Sequence, residues 1–193
     1  MSTATRDVPL LSPEEYLVAE REAQEKSEYF GGEVVAFAGA SPAHNAIVFN
    51  LAGVLYPQLR GRPCRGFPSD LRVHNPVTGS FTYPDVVVVC GEPVFHDQQR
   101  DTLLNPTLVV EILSESTEQR DRGIKAEHYR QTESIQEYLF VRQDKPHVEH
   151  FRRYGPRQWM LTEASDLNDA LELPAIGCTL ALRDIYDKVD LHG

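Results

Sequence analysis

Two runs of β-branched residues constrain this chain more than anything else in it. Tyr83-Pro84-Asp85-Val86-Val87-Val88-Val89-Cys90 and Thr107-Leu108-Val109-Val110-Glu111-Ile112-Leu113 are apolar almost without interruption. Both are short and rich in valine, so they are predicted as central strands covered on both faces. A sheet of that kind needs other elements packed above and below it.

The rest of the chain supplies them. Ser12-Pro13-Glu14-Glu15 is a helix start, with a cap, a first-turn proline and a glutamate three residues after the cap. The helix is expected to run to about Ser27. Glu28 to Phe37 reads as a hairpin turning at Gly31-Gly32. Ser41-Pro42 repeats the cap signal, and Ala43, Ile47, Leu51, Val54 and Leu55 then give a helix with one apolar face. Gly61 and Pro63 end it. A strand is expected around Cys64–Val73, and a helix over Gln119–Thr132. A hairpin of Gln136–Arg142 with His147–Arg153 follows, then a short strand at Trp159–Leu161, and a tail of strand, turn and short helix. The order predicts an α/β chain, an α+β arrangement around one mixed sheet. Residues 1–11 are expected as a loose tail and 12–193 as one domain, a size that buries its own core.

Glu111 is the informative residue. Strand alternation puts it on one face with Val109 and Leu113. A carboxylate there is costly unless it is paired, hydrogen-bonded or bound to a metal. Asp85 opens the neighbouring strand, so the two acids can converge at one end of the sheet. Hard cations such as Mg²⁺ take oxygen ligands of this kind. The plainer alternative is that Asp85 caps a turn and Glu111 pairs with a buried cation. Lys125, on the following helix, could act beside a metal-bound water, or could form an ordinary i,i+4 pair with Asp121. His44 stands at the start of the second helix and could face the same site. Glu28 and Glu33 flank the hairpin; one of them could reach the site, although acids beside exposed turns are usually only solvated. Tyr129 and Tyr138 read as packing residues with polar tips.

Several chemistries are absent as motifs. No phosphate-binding glycine loop, no dinucleotide fingerprint, no nucleophile elbow and no H-E-x-x-H is present. The polar N-terminal residues show no signal-peptide pattern, and no stretch approaches a membrane span. Cys64, Cys90 and Cys178 match no disulfide framework or zinc spacing, so a reducing cytoplasm is expected. The net charge is −10, from 19 Lys+Arg against 29 Asp+Glu. Nucleic-acid binders usually carry a basic footprint, so any such role needs a local patch, a metal or a second subunit. Arg120, Arg122, Lys125 and Arg130, and later Arg152, Arg153 and Arg157, are the candidates for a patch.

Pro84-Asp85-Val86, Val109 to Ser114, Asp121, Lys125, Tyr129 and Glu137-Tyr138 together resemble the Uma2 family. Glu28 to Glu33, Ser41 to His44, and Leu173 to Gly177 fit the same family, and the resemblance spans about residues 12–189. It implies a restriction-endonuclease-like PD-(D/E)XK core with an additional N-terminal helix and hairpin. It also implies Mg²⁺ or Mn²⁺ held by Asp85, Glu111 and a backbone carbonyl near Ile112. The family fold's usual lysine would stand at Leu113; Lys125 could replace it from the helix. His44 and Glu33 would be outer members of the site. The implied activity is hydrolysis of DNA phosphodiester bonds, with a homodimer expected and the Gln136–Arg153 hairpin as a possible contact. Two other readings stay open: an inactive nuclease-fold binding or regulatory module, and a hydrolase of a small acidic substrate.

Overall fold

The computed structural model describes residues 10–37 and 39–191. Most of the expected tail lies outside the described residues. Its last two residues do not behave as a tail. Leu11 packs against the cluster of Tyr16, Tyr29 and Phe81, and its carbonyl accepts from the Tyr29 hydroxyl at 2.8 Å. Leu10 lies over Gly32, where an added Cβ would stand 2.8 Å from the leucine Cβ. Gly32 therefore answers to two demands, a φ of +102° and this close approach.

In chain order the elements are α1 (Pro13–Glu22), β1 (Ser27–Phe30), β2 (Glu33–Ala36), α2 (Pro42–Leu59), β3 (Cys64–Pro68), β4 (Arg72–Asn75), β5 (Ser80–Thr82), β6 (Val86–Cys90), β7 (Thr102–Leu103) and β8 (Leu108–Leu113). Then come α3 (Glu118–Arg120), a π-helical turn (Asp121–Lys125), α4 (Ala126–Gln131), β9 (Glu137–Arg142), β10 (Val148–Gly155), β11 (Gln158–Ala164), β12 (Ala170–Leu173), β13 (Cys178–Ala181) and α5 (Leu182–Ile185).

The two valine-rich runs are indeed central. The main sheet has the order β11-β10-β9-β8-β6-β3. β6 pairs antiparallel with β8, and β8 pairs parallel with β9. One face of the sheet packs Val86, Val88, Leu108, Val110 and Ile112 against Ile47, Leu51 and Leu55 of α2. Those helix residues recur at every fourth position, as one apolar stripe requires. Glu111 points to the opposite face, shared with Val109, Leu113, Ala126 and Tyr129. Each fully buried valine or leucine contributes about 1.5–3 kcal/mol relative to exposure.

The N-terminal helix and hairpin belong to a larger unit than the sequence suggests. β1 and β2 join β5, β4 and β7 in a second, five-stranded sheet. α1 stops at Glu22, short of Ser27. Glu20 instead accepts from the Ser27 N–H and hydroxyl, which turns the chain back into β1. The expected Cys64–Val73 strand splits at Ser69, whose φ is +35°; β3 stays in the main sheet and β4 joins the second. β9 and β10 lie inside the main sheet between β8 and β11, so the edge of the sheet on that side is β11.

The cysteines give the plainest correction. Cys64 and Cys90 are register partners on β3 and β6, with Cα atoms 4.0 Å apart, and they form a disulfide. Their separation of 26 residues resembles no framework, so the pairing comes from strand register alone. Cys178 is free and buried.

Candidate active site

Local structure presents each acid. Asp85 follows Pro84 and sits one residue before the β6 ladder begins. Its carbonyl accepts from the Ser69 N–H at 2.9 Å. Past the end of β6, the Ile112 N–H of β8 has no strand partner on that side, and it donates to Asp85 Oδ2 at 2.7 Å. The other oxygen, Oδ1, meets His44 Nε2 at 2.9 Å. His44 reaches it because Ser41 caps α2, its hydroxyl accepting from the His44 N–H at 3.0 Å. The same hydroxyl lies 2.6 Å from Gln143 Oε1, tying the cap to the end of β9. Both predicted acids and the predicted histidine thus share one site.

Glu111 is 3% exposed. Through one oxygen, Oε1, it meets the Lys125 ammonium at 2.7 Å and accepts from the Tyr129 hydroxyl. Lys125 also lies 3.1 Å from Glu28 Oε1 and 3.2 Å from Asp121 Oδ1. The ammonium is therefore enclosed by three carboxylates on three different elements. The surface pairing of Lys125 with Asp121 and its place beside Glu111 were alternatives in the sequence; in the fold both hold, because both groups are buried.

The π turn explains how one short helical segment supplies three inward groups. In an α-helix, residues four apart drift by about 40° around the axis, so two such steps would carry Tyr129 about 80° from Asp121. The wider turn over Asp121–Lys125 winds the first step back. Asp121, Lys125 and Tyr129 consequently all face the sheet and are buried. Turns of this type cluster at functional sites.

Two residues that the sequence left open or read as packing take places in the site. Glu28 is 4% exposed and accepts from the Tyr83 N–H at 3.0 Å. It stands on β1, and only the pairing of β1 with β5 carries it to the site. Tyr129 is a site member rather than a packing residue alone. Glu33, by contrast, is exposed and lies outside the cavity lining. Leu113, the usual lysine position, is buried in the apolar cluster with Tyr129 and Ala126.

The electrostatics follow from this packing. Burial drives the Glu111 carboxyl well above the usual range; Lys125 opposes the shift, while Asp121, Asp85 and Glu28 add to it. Burial works to lower Lys125, but Glu111, Glu28 and Asp121 outweigh it, and its affinity for a proton is raised. Tyr129 is raised by burial and by Glu111, which keeps it a donor. Glu28, Glu111 and Asp121 thus surround one lysine, and Asp85 lines the same cavity. Four oxygen-rich acids against one fixed ammonium are a donor set that fits a hard divalent cation, which relieves the like-charge repulsion.

The cavity here measures about 790 Å³ and is lined by Asp85, Glu111, Ile112, Lys125 and His44 among others. His147, Glu149 and Glu163 form a second group of ligand-type side chains, with atoms within 4.8 Å of one another. There both Glu149 oxygens are held by Arg122, at 2.7 and 2.5 Å, which leaves that group a salt-bridge network. Other basic candidates are likewise engaged. Arg153 donates to the carbonyls of Ile135 and Thr132, both at 2.8 Å, and Arg130 meets the Tyr138 hydroxyl. Among the described residues no helix is long and apolar enough to cross a membrane.

The fold is a mixed α/β one in which an acid opens one strand, an acid stands inside the next and a lysine lies against the second acid. The chain belongs to the Uma2 family, whose model, described as "Putative restriction endonuclease", matches residues 13–183. Two relatives come from Synechocystis sp. (strain ATCC 27184 / PCC 6803 / Kazusa). "Uncharacterized protein sll1609" is 40% identical over 163 residues, which cover 84% of this chain and 92% of the relative. "Uncharacterized protein slr1290" is 36% identical over 179 residues, 92% of each. The crystal structure of "a putative nuclease belonging to DUF820" from Anabaena variabilis ATCC 29413 is similar with a TM-score of 0.71 and 22% identity, over 91% of this chain and 97% of that one. At that identity the likeness speaks for the fold.

Proposed function

We propose that this protein is a metal-dependent nuclease that hydrolyses DNA phosphodiester bonds. Mg²⁺ or Mn²⁺ would be held by Asp85, Glu111 and the carbonyl of Ile112. The observation that carries the reading is the Lys125 ammonium 2.7 Å from Glu111, in the cavity that Asp85 and Ile112 also line. It restores from the helix the cation that Leu113 cannot provide. In an extended strand the N–H and C=O of one residue point to the same side, so the Ile112 carbonyl faces the side on which its N–H meets Asp85. The family description and the fold support the same activity.

The residues divide the work. His44 and the Ile112 N–H fix the Asp85 carboxylate, and Tyr129 fixes that of Glu111; such supporting contacts set ligand orientation. A bound divalent cation supplies acidified water and neutralises phosphate charge. Lys125, kept protonated by its acidic neighbours, steadies the charge that develops as the P–O bond breaks.

The test is cleavage of DNA, offered both single-stranded and as duplex, in Mn²⁺ or Mg²⁺, alongside thermal melts with metal. Wild type should cut and should gain stability with millimolar metal by mass action; Asp85→Ala and Glu111→Ala should lose both. A wild-type protein that neither cuts nor responds to metal would sink the proposal.

A further inference from the structure

We infer, resting on the reading of this cavity as a phosphodiester site, that its substrate is single-stranded DNA, with Phe37 as the base-stacking platform and Lys26 and Arg120 as the phosphate contacts. The first observation is a shortage of cations. The cations lining the cavity are Lys26, Arg120 and Lys125, and Lys125 is enclosed by Glu28, Glu111 and Asp121. Two cations remain at the rim of a chain with net charge −10. A duplex footprint with 6–10 phosphate contacts draws its affinity from as many basic groups. Of the arginines elsewhere, Arg122, Arg142 and Arg153 are held by Glu118, Glu149 and Asp144 or by backbone carbonyls, and Arg152 and Arg157 are exposed but lie outside the cavity lining.

The second observation is an aromatic rim on a rigid mount. Phe37 is 40% exposed, and its N–H donates to the Lys26 carbonyl at 3.0 Å, which prolongs the β1–β2 ladder by one step. The ring stands edge-on to Tyr83, with centroids 5.7 Å apart. The Lys26 ammonium lies 5.5 Å from the Phe37 ring and 5.4 Å from the Tyr83 ring. It also donates to the Ser69 carbonyl at 3.1 Å and pairs with Asp70, whose side chain is 89% exposed. An exposed pair of that kind is weak and yields readily to a phosphate. Arg120 lines the same cavity. An aromatic face beside a lysine is the device that grips unpaired bases, because stacking needs a free base face and a duplex hides it.

The third observation is size. A cavity of about 790 Å³ falls within the range of pockets that enclose small molecules, about 300–1,000 Å³. It accommodates one or two nucleotides of a strand threaded past Glu111. A channel for a double helix is a different object.

The experiment uses the full chain and fluorescence anisotropy of a labelled oligonucleotide, about 20 nucleotides long to span one site, single-stranded or annealed. Ca²⁺ replaces Mg²⁺ in the binding arm, and cleavage is read separately in Mn²⁺. The single strand should bind at least tenfold more tightly than the duplex. Phe37→Ala should weaken single-strand binding by about tenfold, the range of one lost base stack, and Phe37→Trp should restore it. Lys26→Ala should flatten the salt dependence by about one phosphate contact. Phe49→Ala, exposed on α2 and outside the cavity lining, should change nothing. Duplex bound as tightly as single strand, or single-strand binding indifferent to Phe37→Ala, overturns the inference. Phe37-dependent single-strand binding with no cleavage would uphold it while defeating the nuclease reading. Cleavage of duplex with no Phe37 effect would do the reverse.

Discussion

The Lys125 ammonium lies 2.7 Å from Glu111 Oε1, although one residue stands in the helical segment and the other in the middle of β8. With Glu28 and Asp121 also in contact, this lysine is enclosed by three acids. Removing it should have two separable effects. Lys125→Met should abolish most DNA cleavage, and in metal-free buffer it should destabilise the fold by about 3–5 kcal/mol, the usual cost of orphaning a buried ion pair. Because the acids then lack their cation, Mn²⁺ should raise the Tm of the variant by more than it raises that of wild type. Melting curves with and without metal check this; equal metal shifts in both proteins would refute it.

His44 holds one oxygen of Asp85 at 2.9 Å without lying in the strand ladder. His44→Ala should leave the fold intact and weaken metal affinity by about 10–100-fold, the usual loss when a ligand's orienting partner is removed. Isothermal titration with Mn²⁺ measures it. An unchanged affinity would assign His44 a merely structural contact.

Acid stability should be set partly at the second sheet. The Arg21 guanidinium donates to Asp101 at 2.8 Å, and Arg72 pairs with the same carboxylate. Arg21 hydrogen bonding, against the opposing effect of burial, and helped by Thr102 and Arg72, holds Asp101 down at about 2, below the ordinary 3.8. A carboxyl whose folded value is depressed binds fewer protons folded than unfolded, so its stabilisation is present above pH 3.8 and is lost as pH falls towards 2. Asp101→Asn should therefore lower the Tm at neutral pH and shrink the gap to wild type as pH drops through that window. Circular dichroism melts at a series of pH values test it; a gap that widens in acid would contradict the assignment.

The Cys64–Cys90 disulfide closes a loop across a separation of 26 residues, for which chain entropy suggests a stabilisation of about 3 kcal/mol. Reductant should lower the Tm of wild type, and the double variant Cys64→Ser with Cys90→Ser should melt at one temperature regardless of reductant. Free-thiol titration before and after reduction should change by two per chain. If oxidised wild type shows no such change, the two thiols are not bonded in solution.

Much of this protein was legible from its residues. The valine runs of β6 and β8, the apolar stripe of α2 and the Ser41-Pro42 cap are encoded by near neighbours, through alternation, periodicity and side-chain capping, and they reappear where expected. The burial cost of Glu111 and its convergence with Asp85 could likewise be argued from two short segments. Four things came only from the tertiary structure. Glu28 reached the site because β1 pairs with β5, and Tyr129 because a π turn reset the helix face. Cys64 met Cys90 through strand register, and of the arginines that suggested a basic track Arg122 proved to be held by Glu149 of another element and Arg153 by backbone carbonyls. The physical reason is the same in each case. Local sequence determines what a residue's backbone does and what its burial costs, whereas its partner is fixed by which distant strand lies alongside, and no spacing along the chain carries that information.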